Sequence, residues 1–531
     1  MTTINPENFT GSSYGIPGAA QLEAYANSLF SELTETVSFF GADPSCDVSS
    51  CARFGGAAAP AENEFDWEHP FAYGSSETGQ VSYSPKVLSQ SQASVSDRKI
   101  DAPTSIGGDI VSSHEGHDKE NDRSGSIRIG SKTLDEIRKD FPILSERVNG
   151  YPLVWLDNGA TTQRPSAVIE RLKYYYEHEN SNVHRGAHTL AARSTDAYEQ
   201  ARNIVKDFIG ASLSEEIVFV RGTTEGINLV ANAYVKPLLS PGDEIIVSIL
   251  EHHANIVPWQ LVAEETGAVI KVIPCDETGQ LILSEYERLF TKRTKFVAVT
   301  HVSNVLGTVT PVEELTAIAH RHGVRILIDG AQSVAHIPVN VQALDADFFV
   351  FSGHKIFAPT GIGAVYGKKE LLEAARPYHG GGNMIADVTF ERTIYNGLPN
   401  KFEAGTGSIA DAVSLGAALS YLSEIGMPCV MRWEHELLTY GLSEMKKVRG
   451  ITLIGNASEK ASALAFKLDG YSDEEVGKRL NDYGIAVRTG HHCAQPVLRR
   501  FGYESAVRPT IALYNSPDDI DALVKVLRTF V

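Results

Sequence analysis

Cysteine is scarce: the chain holds five in 531 residues, Cys46, Cys51, Cys275, Cys429 and Cys493. So few, and an odd number, exclude a disulfide-built fold and suit a reducing compartment. Positive charge is also short, with 47 Lys and Arg against 66 Asp and Glu and a net charge of −19. A deficit of that size, with no basic patch, excludes nucleic acid as an expected partner. No apolar run approaches the roughly 18 residues that cross a bilayer, so no membrane partner is expected. The opening "MTTINPENFTG" has no basic stretch followed by an apolar one. It reads without a signal peptide, and the protein is expected to be cytoplasmic. What is plentiful is ordinary: 43% hydrophobic and 21% charged residues, enough for a real core.

The chain divides into unlike parts. Residues 1–131 carry 18 Asp and Glu against 7 Lys and Arg, a net of −11. Stretches such as "SQSQASVSD" and "HEGHDKENDRSGS" cannot bury enough apolar surface to offset their ordering entropy. This extension is expected to be largely disordered. Within it, Leu22, Tyr25, Leu29, Leu33 and Val37 recur at helical spacing behind Pro17. That helix suits either docking on its own domain or recognition of a partner.

From Lys132 the texture changes. "EIVFVRG", "EIIVSIL", "AVIKVIP", "KFVAVTHVS", "VRILIDGA" and "DFFVFSG" are short β-branched runs. Helical patterns such as "GTTEGINLVANAYVKPLL" and "PVEELTAIAHRHG" lie between them. The alternation predicts an α/β fold with mostly parallel strands over 132–415. Helices dominate after about residue 415 ("SIADAVSLGAALSYLSEIG"), which predicts a smaller α+β domain over 416–531. The helix of "DEIRKDFPIL" is expected to contribute to that small domain.

In parallel sheets, ligands bind beyond the carboxyl ends of strands. Gly222-Thr223-Thr224-Glu225-Gly226 follows one run, Glu251-His252-His253-Ala254-Asn255 a second, and Asn304 a third. Asp329-Gly330-Ala331-Gln332 and Ser352-Gly353-His354-Lys355 follow two more. Each alone reads as a helix cap or a satisfied polar residue. Together they offer a phosphate cradle, an aromatic ring, a carboxylate and a lysine. Pyridoxal 5′-phosphate wants all four, since lysine forms a Schiff base with its aldehyde and a carboxylate pairs with its ring nitrogen. "RTGHHCAQP", Arg488 to Pro496, adds a cysteine directly after two histidines.

Longer segments carry a resemblance: "VHRGAHTL", "VFVRGTTEGINLVAN", "EHHANIVPWQ", "THVSNVLGT", "DGAQSVAH", "FSGHKIFAPTGIGAVYGK", "FEAGT" and "YGIAVRTGHHCAQP". From about residue 133 to its end, the chain resembles the Suf-type (group II) cysteine desulfurases, class V aminotransferase relatives with the fold type I architecture. The resemblance implies a homodimer that takes L-cysteine to L-alanine and leaves its sulfur as a persulfide on Cys493. It implies that Lys355 holds the cofactor and moves the Cα proton. Asp329 would pair with the ring nitrogen and His252 would stack on the ring. Gln332 and Asn304 would lie near the phenolic oxygen, with Asn304 also close to substrate. Thr223, Thr224, Ser352 and His354 would hold the phosphate, and Thr406 would reach a phosphate across a dimer interface. Arg508 would grip the substrate carboxylate, and Arg488 and His184 would line the mouth. His491, His492 and Arg488 are candidates for tuning the thiol, whose free pKa is about 8.5. In one departure, Gly407-Ser408 follows "FEAGT" where the family has Pro-Asn.

The extension resembles those of family 2 encapsulin cargo desulfurases, which implies docking to a protein shell through residues 1–131. The sulfur would pass to an acceptor protein for iron–sulfur assembly, or be stored. Selenocysteine lyase, another fold type I activity and a non-catalytic scaffold are the neighbouring alternatives. A lipase reading of "GSSYG" and "HGGGN" fails because that serine has no strand before it and the two motifs stand in the wrong order. A zinc site at His491, His492 and Cys493 fails because adjacent side chains of an extended loop point apart.

Overall fold

The computed structural model describes residues 127–530 except Arg185. Most of the extension, with the Leu22–Val37 helical pattern, lies outside the described residues. The described chain begins before the boundary expected at 131. Arg128–Ile129 pairs antiparallel with Lys132–Thr133, and Ile129 is buried. Ser131 Oγ donates to the Glu424 carbonyl at 3.0 Å. One buried isoleucine in a two-residue strand is too short a signal to register in composition. Leu134–Asp140 (α1) follows, its amino end closed by a capping box between Thr133 and Glu136. Arg138 ties α1 to the chain's carboxyl-terminal part, donating to the Tyr514 carbonyl at 2.7 Å and to Asp519 at 3.0 Å.

The six apolar runs become strands: Ile217–Val220 (β1), Glu244–Ser248 (β2), Val269–Ile273 (β3), Thr294–Thr300 (β4), Arg325–Asp329 (β5) and Phe348–Ser352 (β6). Gly363–Gly367 (β7) completes a seven-stranded sheet in the order β1-β7-β6-β5-β4-β2-β3. Only β7 in this sheet runs antiparallel to its neighbours. Strands β1, β2, β6 and β7 are buried throughout. That explains their unbroken apolar runs, since helices cover both faces of a parallel sheet. The sequence pattern missed β7 because "GAVYG" is bounded by glycines and reads as a turn. The glycine serves a close approach: a Cβ on Gly363 would lie 2.4 Å from the Phe351 carbonyl oxygen and 2.7 Å from Gly222 Cα.

A second sheet of Ile451–Leu453 (β8), Phe466–Leu468 (β9), Arg488–Gly490 (β10) and Ala506–Arg508 (β11) is antiparallel, in the order β8-β9-β11-β10. Between the sheets in sequence, Ile409–Ile425 runs unbroken across residue 415, where the change of texture placed a boundary. It is apolar nearly all round and accordingly buried. Among the described residues, no single helix is long and apolar enough to cross a membrane. Because β7 reverses twice, the carboxyl ends of β1, β2, β4, β5 and β6 share one edge of the large sheet. The expected ligand residues follow those ends.

Candidate active site

Gly222 turns β1 into the helix Thr223–Leu229 (α2). The Thr223 N–H donates to Ser352 Oγ at 2.8 Å, and the two hydroxyls also meet at 2.8 Å. A Cβ on Gly222 would press to 3.0 Å of that Ser352 oxygen, so glycine keeps the hydroxyl pair together. At the end of β5, Asp329 is 3% exposed and accepts one hydrogen bond from the Ala331 N–H at 2.9 Å. Burial pushes its carboxyl up, while that hydrogen bond and Lys355 pull it back. Lys355, in the single turn after β6, opens into the same space. Burial pushes its ammonium down to about 8, against the pull of Asp329.

His252 closes the turn His253–Asn255 by accepting from the Ala254 N–H at 3.0 Å. Burial, with Lys355 nearby, lowers its pKa to about 3, so the ring is neutral. Burial likewise brings His354 down to about 4. Gln332 donates to the Gly159 carbonyl at 2.8 Å. Asn304 donates to the His492 carbonyl at 2.7 Å, and its own backbone carbonyl accepts from Arg508 Nη1 at 2.7 Å.

The cysteine loop is held from three sides. The His253 N–H donates to the Cys493 carbonyl at 2.7 Å, and the Cys493 N–H donates to His491 Nδ1 at 3.0 Å. His492 and Cys493 both sit at positive φ, 50° and 54°, a conformation costly for side-chain-bearing residues. His492 is buried, and its Nε2 lies 2.9 Å from the Ala506 carbonyl, so that nitrogen carries the proton. Burial and Arg508 lower its pKa to about 3. A neutral ring in that bond anchors the loop; it supplies no positive charge to the thiol, unlike one role open to it from sequence.

Twelve of the expected residues converge on one cavity of about 260 Å³: Thr223, Thr224, His252, Asn304, Asp329, Gln332, Ser352, His354, Lys355, Arg488, Cys493 and Arg508. His184 and Thr406 do not. They line a separate cavity of about 660 Å³ with Tyr198 and Glu403. Glu403 pins "FEAGT", and Thr406 with it, to the helix Thr189–Ile209. Its carboxylate takes Arg202 Nη1 at 2.6 Å, Arg202 Nη2 at 3.0 Å, the Phe219 N–H at 2.8 Å and the Tyr198 hydroxyl at 3.1 Å. Arg202 is 0% exposed. Glu199 would still hold Arg202 at 2.9 Å from a partly exposed side, so Glu403→Ala leaves the buried guanidinium only partly compensated and is expected to destabilise the fold by about 3 kcal/mol, the lower end for a broken buried pair, read by chemical denaturation.

Two residues were not legible beforehand. Glu251, 0% exposed, accepts from Ser248, Asn255 and the Thr300 N–H and so locks the ends of β2 and β4 together. Asp157 contacts both arginines of the cavity: Arg488 Nε and Nη2 at 2.9–3.2 Å, and Arg508 Nη2 at 3.7 Å. In sequence, Glu251 stands in a strand-end motif with no role of its own, and Asp157 falls in none of the motifs.

A family model, the class-V aminotransferases, matches residues 154–523. The chain belongs to that family. A cysteine desulfurase of Synechococcus elongatus is 58% identical over 407 residues, covering 76% of this chain and 65% of the relative. One from Dickeya dadantii is 48% identical over 392 residues, covering 74% of this chain and 95% of the relative. The solved structure of an Escherichia coli cysteine desulfurase, in its S-sulfonic acid form, superposes with a TM-score of 0.70 at 39% identity. It covers 75% of this chain and 98% of that one. The chain spans 57–65% of the length of the curated relatives at 58–59% identity.

The class-V cavity fits pyridoxal 5′-phosphate, and with it the fold type I architecture. Asp329 is a buried carboxylate with a single backbone donor, and a protonated ring nitrogen would balance its charge. The paired Thr223 and Ser352 hydroxyls suit phosphate oxygens. The lowered ammonium of Lys355 suits a lysine that binds an aldehyde.

Proposed function

We propose that this chain is a pyridoxal 5′-phosphate-dependent cysteine desulfurase that converts L-cysteine to L-alanine and keeps the sulfur on Cys493. The observation that carries the reading is that Cys493 shares one cavity with Lys355, Asp329 and Arg508. When bound, the cofactor supplies an electron sink for charge developing at the substrate Cα. When the cofactor is bound, Asp329 would pair with the ring nitrogen, His252 would stack on the ring, Gln332 and Asn304 would lie near the phenolic oxygen, and Thr223, Thr224, Ser352 and His354 would hold the phosphate. Arg508, fixed by the Asn304 carbonyl, receives the substrate carboxylate.

Lys355 removes the proton from Cα, which its lowered pKa permits near neutrality. The Cys493 thiolate attacks the substrate sulfur. A sulfur–sulfur bond forms and the substrate Cβ–S bond breaks. The electron pair of that bond passes to the carbon side, and Cβ takes a proton on the way to alanine. The product on the enzyme is a Cys493 persulfide. Purified holoenzyme given L-cysteine and a dithiol reductant should release alanine and sulfide in equal amounts. Alanine without sulfur on the protein or in solution would sink the reading.

The proposal extends to a cytoplasmic homodimer, with Thr406 and His184 serving the second active site, and to transfer of sulfur to an acceptor protein. It assigns residues 1–131 to docking in an encapsulin shell, supported by that segment's acidic, Ser- and Gly-rich composition. Co-expression with a shell protein should load the full chain, and a form lacking residues 1–131 should stay outside. Equal loading of both forms would dispose of the docking role.

A further inference from the structure

Two guanidiniums face one another in this cavity. Strands β10 and β11 are antiparallel, and Arg488 is the direct cross-strand partner of Arg508. Like charges so placed repel. Arg508 is 2% exposed, so its charge needs a partner as well. Asp157 stands between the two and lends Arg508 only part of a counter-charge. It follows the short strand Val154–Trp155 and bridges to Thr510, two residues past Arg508. Its carboxylate holds Arg488 side-on through Nε and Nη2, at 2.9–3.2 Å, and stands 3.7 Å from Arg508 Nη2.

The two contacts are unequal. Arg488 is clamped by both carboxylate oxygens, whereas Arg508 touches Asp157 loosely and its Nη1 is spent on the Asn304 carbonyl. Arg488, Arg508 and Asp157 together carry one net positive charge. Of the cavity's other groups, Asp329 is matched by Lys355 in the cofactor-free chain and would be matched by the ring nitrogen with the cofactor bound, and the histidines His252, His354 and His492 are neutral.

We infer that Asp157 is a positioning and specificity-determining residue: it ties Arg488 down, so that the cavity offers one uncompensated guanidinium, Arg508, and selects amino acids bearing a single carboxylate. The inference rests on the reading of Arg508 as the receptor of the substrate carboxylate. Loss of Asp157 frees Arg488 and raises the charge around the substrate by one. A second carboxylate on the ligand then becomes welcome.

The test uses holoenzyme and two sulfur-free probes of similar size, L-alanine and L-aspartate, titrated against the colour of the bound cofactor. The readout is the ratio of their affinities, which a general loss of stability would not move. The native chain should prefer L-alanine. Asp157→Asn should shift the ratio toward L-aspartate by about tenfold. Arg488→Gln, which removes the clamped charge and leaves Asp157, should shift it the opposite way. The double variant restores one net charge and should return the ratio to its native value. An unchanged ratio in both single variants, or a shift in Asp157→Asn that persists in the double variant, overturns the inference. If the native holoenzyme turns over L-cysteine while either result is obtained, only the inference falls. If it binds neither probe and forms no alanine from L-cysteine, the functional reading falls with it.

Discussion

Cys493→Ala is expected to lower sulfide release from L-cysteine by roughly 10²–10⁴-fold, the range seen when a positioned reacting group is removed. No other thiol among the described residues can substitute. Of Cys275, Cys429 and Cys493, only Cys493 lines the cavity. Cys275 is 2% exposed, and burial pushes its thiol up, away from the thiolate form. The variant should still bind L-alanine with the native change in colour, because Cys493 touches neither the hydroxyl pair nor Asp329. It should also still exchange the Cα hydrogen of L-alanine with solvent deuterium, since Lys355 is intact. Mass spectrometry of the native enzyme after one turnover should show one added sulfur on the peptide holding Cys493. Full sulfide release by the alanine variant would end the persulfide mechanism.

Lys355→Ala should lose alanine formation by a similar or larger factor, and it should also lose the Cα exchange that Cys493→Ala keeps. Lys355→Arg is the sharper control. It keeps a positive charge beside Asp329, but a guanidinium stays protonated throughout the accessible pH range. If Lys355 served only as a counter-ion, Arg would restore activity; as a base it should not. The pH dependence follows from the same environment. Burial holds the amine at about 8 in the cofactor-free chain, so its unprotonated fraction rises as pH passes upward through 8. The folded chain then releases that proton before the unfolded chain does, whose lysine titrates near 10.5. The unfolded state binds more protons across that window, so the cofactor-free chain should gain stability from about pH 8 to 10.5 through this group. Lys355→Met should lack that gain in a denaturation series.

How much of this was legible in advance depended on how local each signal was. The runs that became β1, β2 and β6 are apolar at nearly every position because both sheet faces are covered there, and such runs announce themselves. β7 stayed hidden because its first glycine, Gly363, answers to Phe351 and Gly222, which no local pattern connects to it. Asp329 and Lys355 could be singled out because each stands just after a strand, where a parallel sheet gathers its ligands. Asp157 and Glu251 stand in similar places, yet Asp157 takes its partners from Arg488 and Arg508 and Glu251 takes one of its three from Thr300, which no local pattern connects to them. Thr406, expected to reach a phosphate across a dimer interface, lies away from this chain's own cavity on the segment that Glu403 fastens to Arg202, and His184, expected at the mouth, lines the same second cavity.

The sequence by itself determined the α/β class and singled out the strand-end residues and the cysteine that meet in one cavity. It could do so because those features follow from local periodicity and from residue chemistry at fixed offsets. Only the tertiary structure decided which charges meet. It set Arg488 opposite Arg508, put Asp157 between them, turned His492 into a neutral anchor, and lowered Lys355 toward neutrality. Those outcomes come from burial and from distances of a few ångströms between residues hundreds of positions apart, and electrostatics in a low-dielectric cavity depends on both.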